Sequence, residues 1–169
     1  ISGGDVEKGL MIIRNGLASL DQEGSSENIT ERYELLLHLA IALADKDFQE
    51  AKKTYMQALA LPIDGRINIG ARLNLAALLM RNGCLEEAIE HTRIATIAAP
   101  EVFLGWFNLG LMYRHQGDFV ASVNSYQQAI KLNPSHSESH KNLAVVNLLM
   151  GNISDARYGF KRTMELLKI

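Results

Sequence analysis

The chain has 169 residues, 47% of them hydrophobic and 21% charged, with a formal net charge of −2. That length and balance suit a globular core, and the charge argues against bulk electrostatic binding to nucleic acid or acidic lipid. The single cysteine, Cys84, excludes an internal disulfide and fits a reducing compartment.

Charge is spread with little asymmetry. Residues 1–68 carry seven Lys/Arg against eleven Asp/Glu, and residues 69–169 carry ten against eight. No apolar run approaches the roughly 18 residues that a membrane-spanning helix needs. The chain opens on Ile1 rather than Met, as expected of a processed product or an excised fragment.

The informative signal is a period. Pro100 and Pro134 stand 34 residues apart, and the same shift relates many other positions. Leu75 maps to Leu109 and Leu143, Ala76 to Gly110 and Ala144, and Gly83 to Gly117 and Gly151. Ala88 maps to Ser122 and Ala156, and Ala95 to Ala129 and Thr163. Apolar, small and turn residues in register at a fixed period mark a repeat array.

Residues 106–134, WFNLGLMYRHQGDFVASVNSYQQAIKLNP, carry Trp106, Leu109, Gly110, Tyr113, Gly117, Ser122, Tyr126, Ala129 and Pro134. This stretch resembles a tetratricopeptide repeat, and repeat positions are numbered below from one to 34. In chain order, residues 1–32 are a partial repeat and linker, in which 3–20 resembles the second helix of a unit whose first helix is absent. Residues 33–68 hold a degenerate repeat with Leu39, Ala40, Ala51, Tyr55, Ala58 and Pro62. It lacks one residue at the turn near Asp45 and has about four extra before residue 69. Residues 69–102, 103–136 and 137–169 are well-formed repeats. The resemblance implies one tetratricopeptide domain over 1–169, an all-α right-handed superhelix of antiparallel helix pairs, with about nine helices and no strands.

Each kind of residue has a physical reason. Small residues at position 8 (Ala76, Gly110, Ala144) and position 20 (Ala88, Ser122, Ala156) let two helix backbones approach closely. Glycine at position 15 suits a left-handed residue at the end of a helix. Proline at position 32 stops the second helix. No unit buries its apolar face alone, so neighbouring units must stack.

Asn108 poses the functional question, because a buried amide without partners is costly. At 100° per residue, Trp106, Leu109, Gly110 and Tyr113 share one arc, and Asn108 lies almost opposite Leu109. That direction is expected to face away from the core. In the family it lines the concave inner surface of the superhelix. Asn74, Asn108 and Asn142 all occupy position 6, with His38 in the matching place of the degenerate unit. A ladder of primary amides can bond an extended peptide main chain without reading its side chains. The resemblance implies that use, since the repeats of O-GlcNAc transferase carry such an asparagine ladder. Leu73, Ala77, Phe107, Leu111, Arg114, Lys141 and Val145 are expected on the same side. They form a groove over residues 69–149 more apolar than a solvated surface requires.

Other readings find less support. The carboxylate clamp of chaperone-binding repeats needs Lys and Asn where Leu73 and Ala77 stand, and basic residues where Glu138 and Asn142 stand. His136 and His140 are spaced i and i+4 but lack a third metal ligand, so packing is the expected role of His140. Cys84 has no base placed beside it in the sequence. No phosphate-binding loop or nucleophile motif appears. The chain is therefore expected to be a non-enzymatic scaffold or adaptor, without cofactor or metal, that binds a protein or peptide partner. It is not expected to bind nucleic acid or span a membrane. The alternative is a substrate-recognition repeat domain of a larger enzyme such as a glycosyltransferase. Met164, Leu166, Leu167 and Ile169 end the chain without a polar cap, so weak self-association through that face is expected.

Overall fold

The computed structural model describes residues 3–23 and 28–168, with side chains placed for 7–21 and 28–168. Among the described residues the secondary structure is nine helices and no strand. They are α1 (Gly3–Glu23), α2 (Ile29–Leu43), α3 (Phe48–Leu59), α4 (Ile69–Arg81), α5 (Leu85–Ala98), α6 (Phe103–Gln116), α7 (Phe119–Leu132), α8 (Ser137–Leu149) and α9 (Ile153–Leu167). The all-α fold that the resemblance implies is the fold found. The helices fall into two compact units, residues 1–83 with α1–α4 and residues 84–169 with α5–α9. The boundary lies inside the repeat 69–102.

The 34-residue punctuation acts through local backbone geometry. Gly83, Gly117 and Gly151 have φ of 80°, 87° and 80°, and they are the only glycines described with positive φ. Each sits just past the first helix of its repeat, where an L side chain would be strained. The turns that follow Gly117 and Gly151 are short, so α6 lies antiparallel to α7 and α8 to α9. Asp118 then starts α7, its Oδ1 accepting from the Ala121 backbone N–H at 2.9 Å. Asp47 does the same at the start of α3, accepting from Glu50 N–H at 2.9 Å. These caps satisfy N–H groups that the first turn leaves unpaired.

In the unit 84–169, position 8 explains the close helix pairs. A Cβ on Gly110 would lie 2.7 Å from the ring of Tyr126, and Ser122 donates from Oγ to the Gly110 carbonyl at 2.7 Å. In the next pair, a Cβ on Gly159 would lie 2.8 Å from that of Ala144. Between successive repeats, α5 packs on α6, where a Cβ on Gly105 would meet Thr96 Cγ2 at 2.8 Å. A second recurrent bond ties the linker to the first helix. Trp106 donates from Nε1 to the Pro100 carbonyl at 2.9 Å, and His140 Nε2 makes the same bond to Pro134 at 3.0 Å, 34 residues on. A carbonyl only accepts, so His140 carries its proton on Nε2.

The unit 1–83 departs from the ideal repeat in two places. Helix α2 begins at Ile29, a turn before the unit edge expected at residue 33. The connection from α3 to α4 runs over the nine residues 60–68, against four (99–102) between α5 and α6. The extra chain is anchored by Tyr33, whose hydroxyl donates to the Ile67 carbonyl at 3.0 Å. Helix α1 packs on α2, with Leu35 against Gly16, and Arg14 reaches Glu50 of α3 at 2.7 Å.

Candidate interaction face

The side chains singled out in the sequence lie on first helices, α2, α4, α6 and α8. Their depth varies more than the wheel implies. In the unit 1–83, His38 and Asn74 are exposed, Ala77 is half-buried, and Leu73 is buried at 9% exposure. Leu73 therefore belongs to the packing and is not an exposed groove residue. Asn74 and Ala77 line a cleft of about 300 Å³ with Ile41, Ala44 and Tyr55, rimmed by the Arg81–Asp45 ion pair at 3.0 Å. His38 is not among the side chains that line it. Burial pushes the Tyr55 phenol up, and the Arg81 charge pulls it partly back.

In the unit 84–169, Phe107, Asn108, Leu111 and Arg114 are half-buried on α6. On α8, Lys141 is exposed, Val145 is half-buried, and Asn142 is buried at 8% exposure. Phe107 stands between two rings, 5.0 Å from His136 edge-on and 5.9 Å from Tyr126. Lys141 is engaged with Glu138 at 2.6 Å.

Asn142 and Asn74 behave differently, and the residue opposite each explains it. Asn142 is held at both ends of its amide. Its Oδ1 accepts from Arg114 Nη1 at 3.2 Å, and its Nδ2 donates to the Glu138 carbonyl at 2.9 Å. Asn74 shares its cleft with Ala44, whose methyl cannot bond an amide. Asn74 and Asn108 make no hydrogen bond among the described residues, so their amides remain available. The signal was present at position 12 of the preceding repeat, which reads Ala44 before Asn74 and Arg114 before Asn142. A charged residue there occupies the amide of the next repeat.

Arg114 also faces Tyr126. Burial of that phenol pushes its pKa up to about 12, and the Arg114 charge limits the rise. The Tyr126 hydroxyl is buried and has no hydrogen-bond partner among the described residues. Among the described residues no group of three or more His, Cys, Asp and Glu side chains is placed to hold a metal ion. His136 caps α8 through Nδ1, accepting from Ser139 N–H at 3.3 Å, and its ring meets Phe103 at a tilt and Phe107 edge-on. No described helix is long and apolar enough to cross a membrane.

Residues 103–136 and 125–158 each match the sequence profile of the tetratricopeptide repeat. This chain carries tetratricopeptide repeats. It is 30% identical over 165 residues to a TPR repeat-containing protein of Synechococcus elongatus, covering 97% of this chain and 40% of that relative. It thus spans well under half the length of the curated relatives it matches, only 14% of FlbA from Caulobacter vibrioides. A crystal structure of MamA superposes with a TM-score of 0.82 at 17% identity, covering 98% of this chain and 90% of that one. YrrB, described as a TPR protein with an unusual peptide-binding site, superposes with a TM-score of 0.75 at 15% identity, over 96% of this chain and 78% of its own. At such identities the likeness shows the repeat fold.

Proposed function

We propose that this chain is a protein-interaction scaffold whose first-helix faces bind extended segments of a partner protein. The observation that carries the reading is the pair of free amides, Asn74 and Asn108. They recur at position 6, each on a half-apolar face, and each offers two donors and an acceptor to a peptide main chain. On the face of α6 and α8, Leu111 and Val145 add apolar surface, and Arg114 keeps donors beyond the one given to Asn142. The peptide-binding site named for YrrB supports the same use of the fold. With a net charge of −2, the partner class is protein rather than nucleic acid. The reading is of a binding protein that needs no cofactor and performs no catalysis.

A second interaction is favoured by the last helix. Ile153, Phe160, Met164 and Leu167 of α9 are exposed, and with Leu148 the first three edge a shallow apolar groove of about 610 Å³. This surface supports weak self-association. Ile169, which the sequence grouped with it, lies outside the described residues.

The test of the main reading is affinity capture of a partner with identification by mass spectrometry, followed by titration against Asn74→Ala and Asn108→Ala. Each is expected to weaken binding by about 0.5–1.5 kcal/mol, one hydrogen bond's worth, with the melting temperature unchanged. Unaltered affinity in the double variant would remove the ladder from the account.

A further inference from the structure

The second helices of the unit 84–169 flank another opening, on a different set of side chains. Helices α7 and α9 both pack on α8, and between them lies a cleft of about 580 Å³. Its origin can be read by moving 34 residues back along the chain. Where α6 carries Trp106 and Tyr113, α8 carries His140 and Asn147. An imidazole and an amide fill less space than an indole and a phenol, so the surface between the second helices stays open at the later repeat. The α7 wall is mixed, with Val120, Val123 and Ile130 beside Asn124 and Gln127, and α8 adds the apolar Leu143.

The floor also presents bonding capacity that the fold does not use. Asn147 is buried at 8% exposure, and its Oδ1 accepts from Asn152 Nδ2 at 3.4 Å. Its own Nδ2 has no partner among the described residues. His140 donates from Nε2 to Pro134, which leaves Nδ1 as an acceptor. One donor and one acceptor stand seven residues apart on one helix. That is about 10 Å along the axis, or about three residues of extended chain.

Charge then selects the occupant. Asp155 is the only carboxylate among the side chains lining the cleft, no Lys or Arg is among them, and Asp155 makes no ion pair among the described residues. Tyr158 lies one turn further along α9, on the same side, with its ring 71% exposed. A carboxylate beside an open aromatic ring suits an ammonium or guanidinium group.

We propose that the cleft between α7 and α9 binds a short extended segment of a partner protein that carries a basic side chain. The main chain lies along His140 and Asn147, aliphatic side chains rest on Val123, Ile130 and Leu143, and the basic group meets Asp155 and Tyr158. This surface is separate from the first-helix face, so a chain bearing both can hold two segments at once.

The experiment is an NMR titration of the isotope-labelled 169-residue chain with two blocked pentapeptides. One is acetyl-Ala-Val-Lys-Val-Ala-amide, and the other has Glu in place of Lys. The Lys peptide is expected to shift the Asn147 side-chain amide and the signals of Tyr158 and Gly159. The Glu peptide is expected to bind at least about fivefold more weakly, from loss of the ion pair and the ring contact. Asp155→Asn should abolish that preference. The double variant His140→Trp with Asn147→Tyr restores the side chains of the preceding repeat and should close the cleft. Its indole can repeat the bond that Trp106 makes to its proline carbonyl, so folding is expected to survive, and binding should be lost. Equal affinity for the two peptides, retained binding in the closed variant, or shifts confined to Asn108 and Leu111 would each overturn the proposal. Asp155→Asn is solvent-exposed and keeps the test decisive if the closed variant fails to fold.

Discussion

Arg114 on α6 and Asn142 on α8 are joined by a hydrogen bond of 3.2 Å from guanidinium to amide oxygen, linking the first helices of two successive repeats. The same position 6 is thus a tie in one repeat and an open amide in others. Asn142→Ala is therefore expected to lower stability by about 1–2 kcal/mol, because it strands a half-buried donor. Asn108→Ala should change it by less than about 0.5 kcal/mol, because its amide makes no hydrogen bond among the described residues. Chemical denaturation of the two variants checks this. Equal losses would mean that Asn108 has a structural partner.

Gly110 has no room for a methyl group. A Cβ there meets the Tyr126 ring at 2.7 Å, and that ring is fully buried. Gly110→Ala is expected to cost about 1–3 kcal/mol through overpacking, and Gly110→Leu more. Thermal melts followed by circular dichroism would show the order wild type, Ala, Leu. A Gly110→Ala melt at the wild-type temperature would contradict the contact.

Tyr126 sets an alkaline limit. Its folded pKa is about 12 against an ordinary 10.0, so the folded chain keeps a proton that the unfolded chain releases. Its contribution is intact below pH 10 and is lost as pH rises through 12, by about 3 kcal/mol in all. Tyr126→Phe should flatten that slope. At neutral pH it should also raise stability by up to about 1 kcal/mol, since the lost hydroxyl is buried without a partner among the described residues. Tyr33 and Tyr55, raised in the same direction by burial, leave a residual slope. Denaturant midpoints across pH 8 to roughly 12 give the comparison.

Met164 and Leu167 are half-exposed on the last helix. Replacing both with Lys is expected to reduce concentration-dependent association in sedimentation velocity while leaving helicity unchanged. Two monomers at all concentrations would dispose of the self-association.

The helical architecture was legible because its determinants are local. Gly83, Gly117 and Gly151 each fix one backbone turn, and Asp47 and Asp118 each cap one helix, whatever lies elsewhere. Depth was not legible, because a wheel gives direction along one helix and says nothing of what stands opposite. Leu73 was expected at a groove and is buried, and Asn142 was expected to be free and is held by Arg114. The early start of α2 escaped for the same reason, as Ile29 lies upstream of any position in the period. The cleft beside α8 required a comparison of side-chain volumes between repeats, Trp106 with His140 and Tyr113 with Asn147, rather than of residue class.

Within each unit every helix packs chiefly on the next one in sequence: α1 on α2, α2 on α3 and α3 on α4, then α5 on α6 and so on to α9. Ordering such a chain closes only short loops, so little entropy is spent before contacts reward it. Folding can start at any well-formed pair and spread to both sides. The α6–α7 pair, joined at the left-handed Gly117 and the Asp118 cap, is a natural starting point. A nascent chain gains a stable edge each time another pair clears the ribosome, without waiting for its far end.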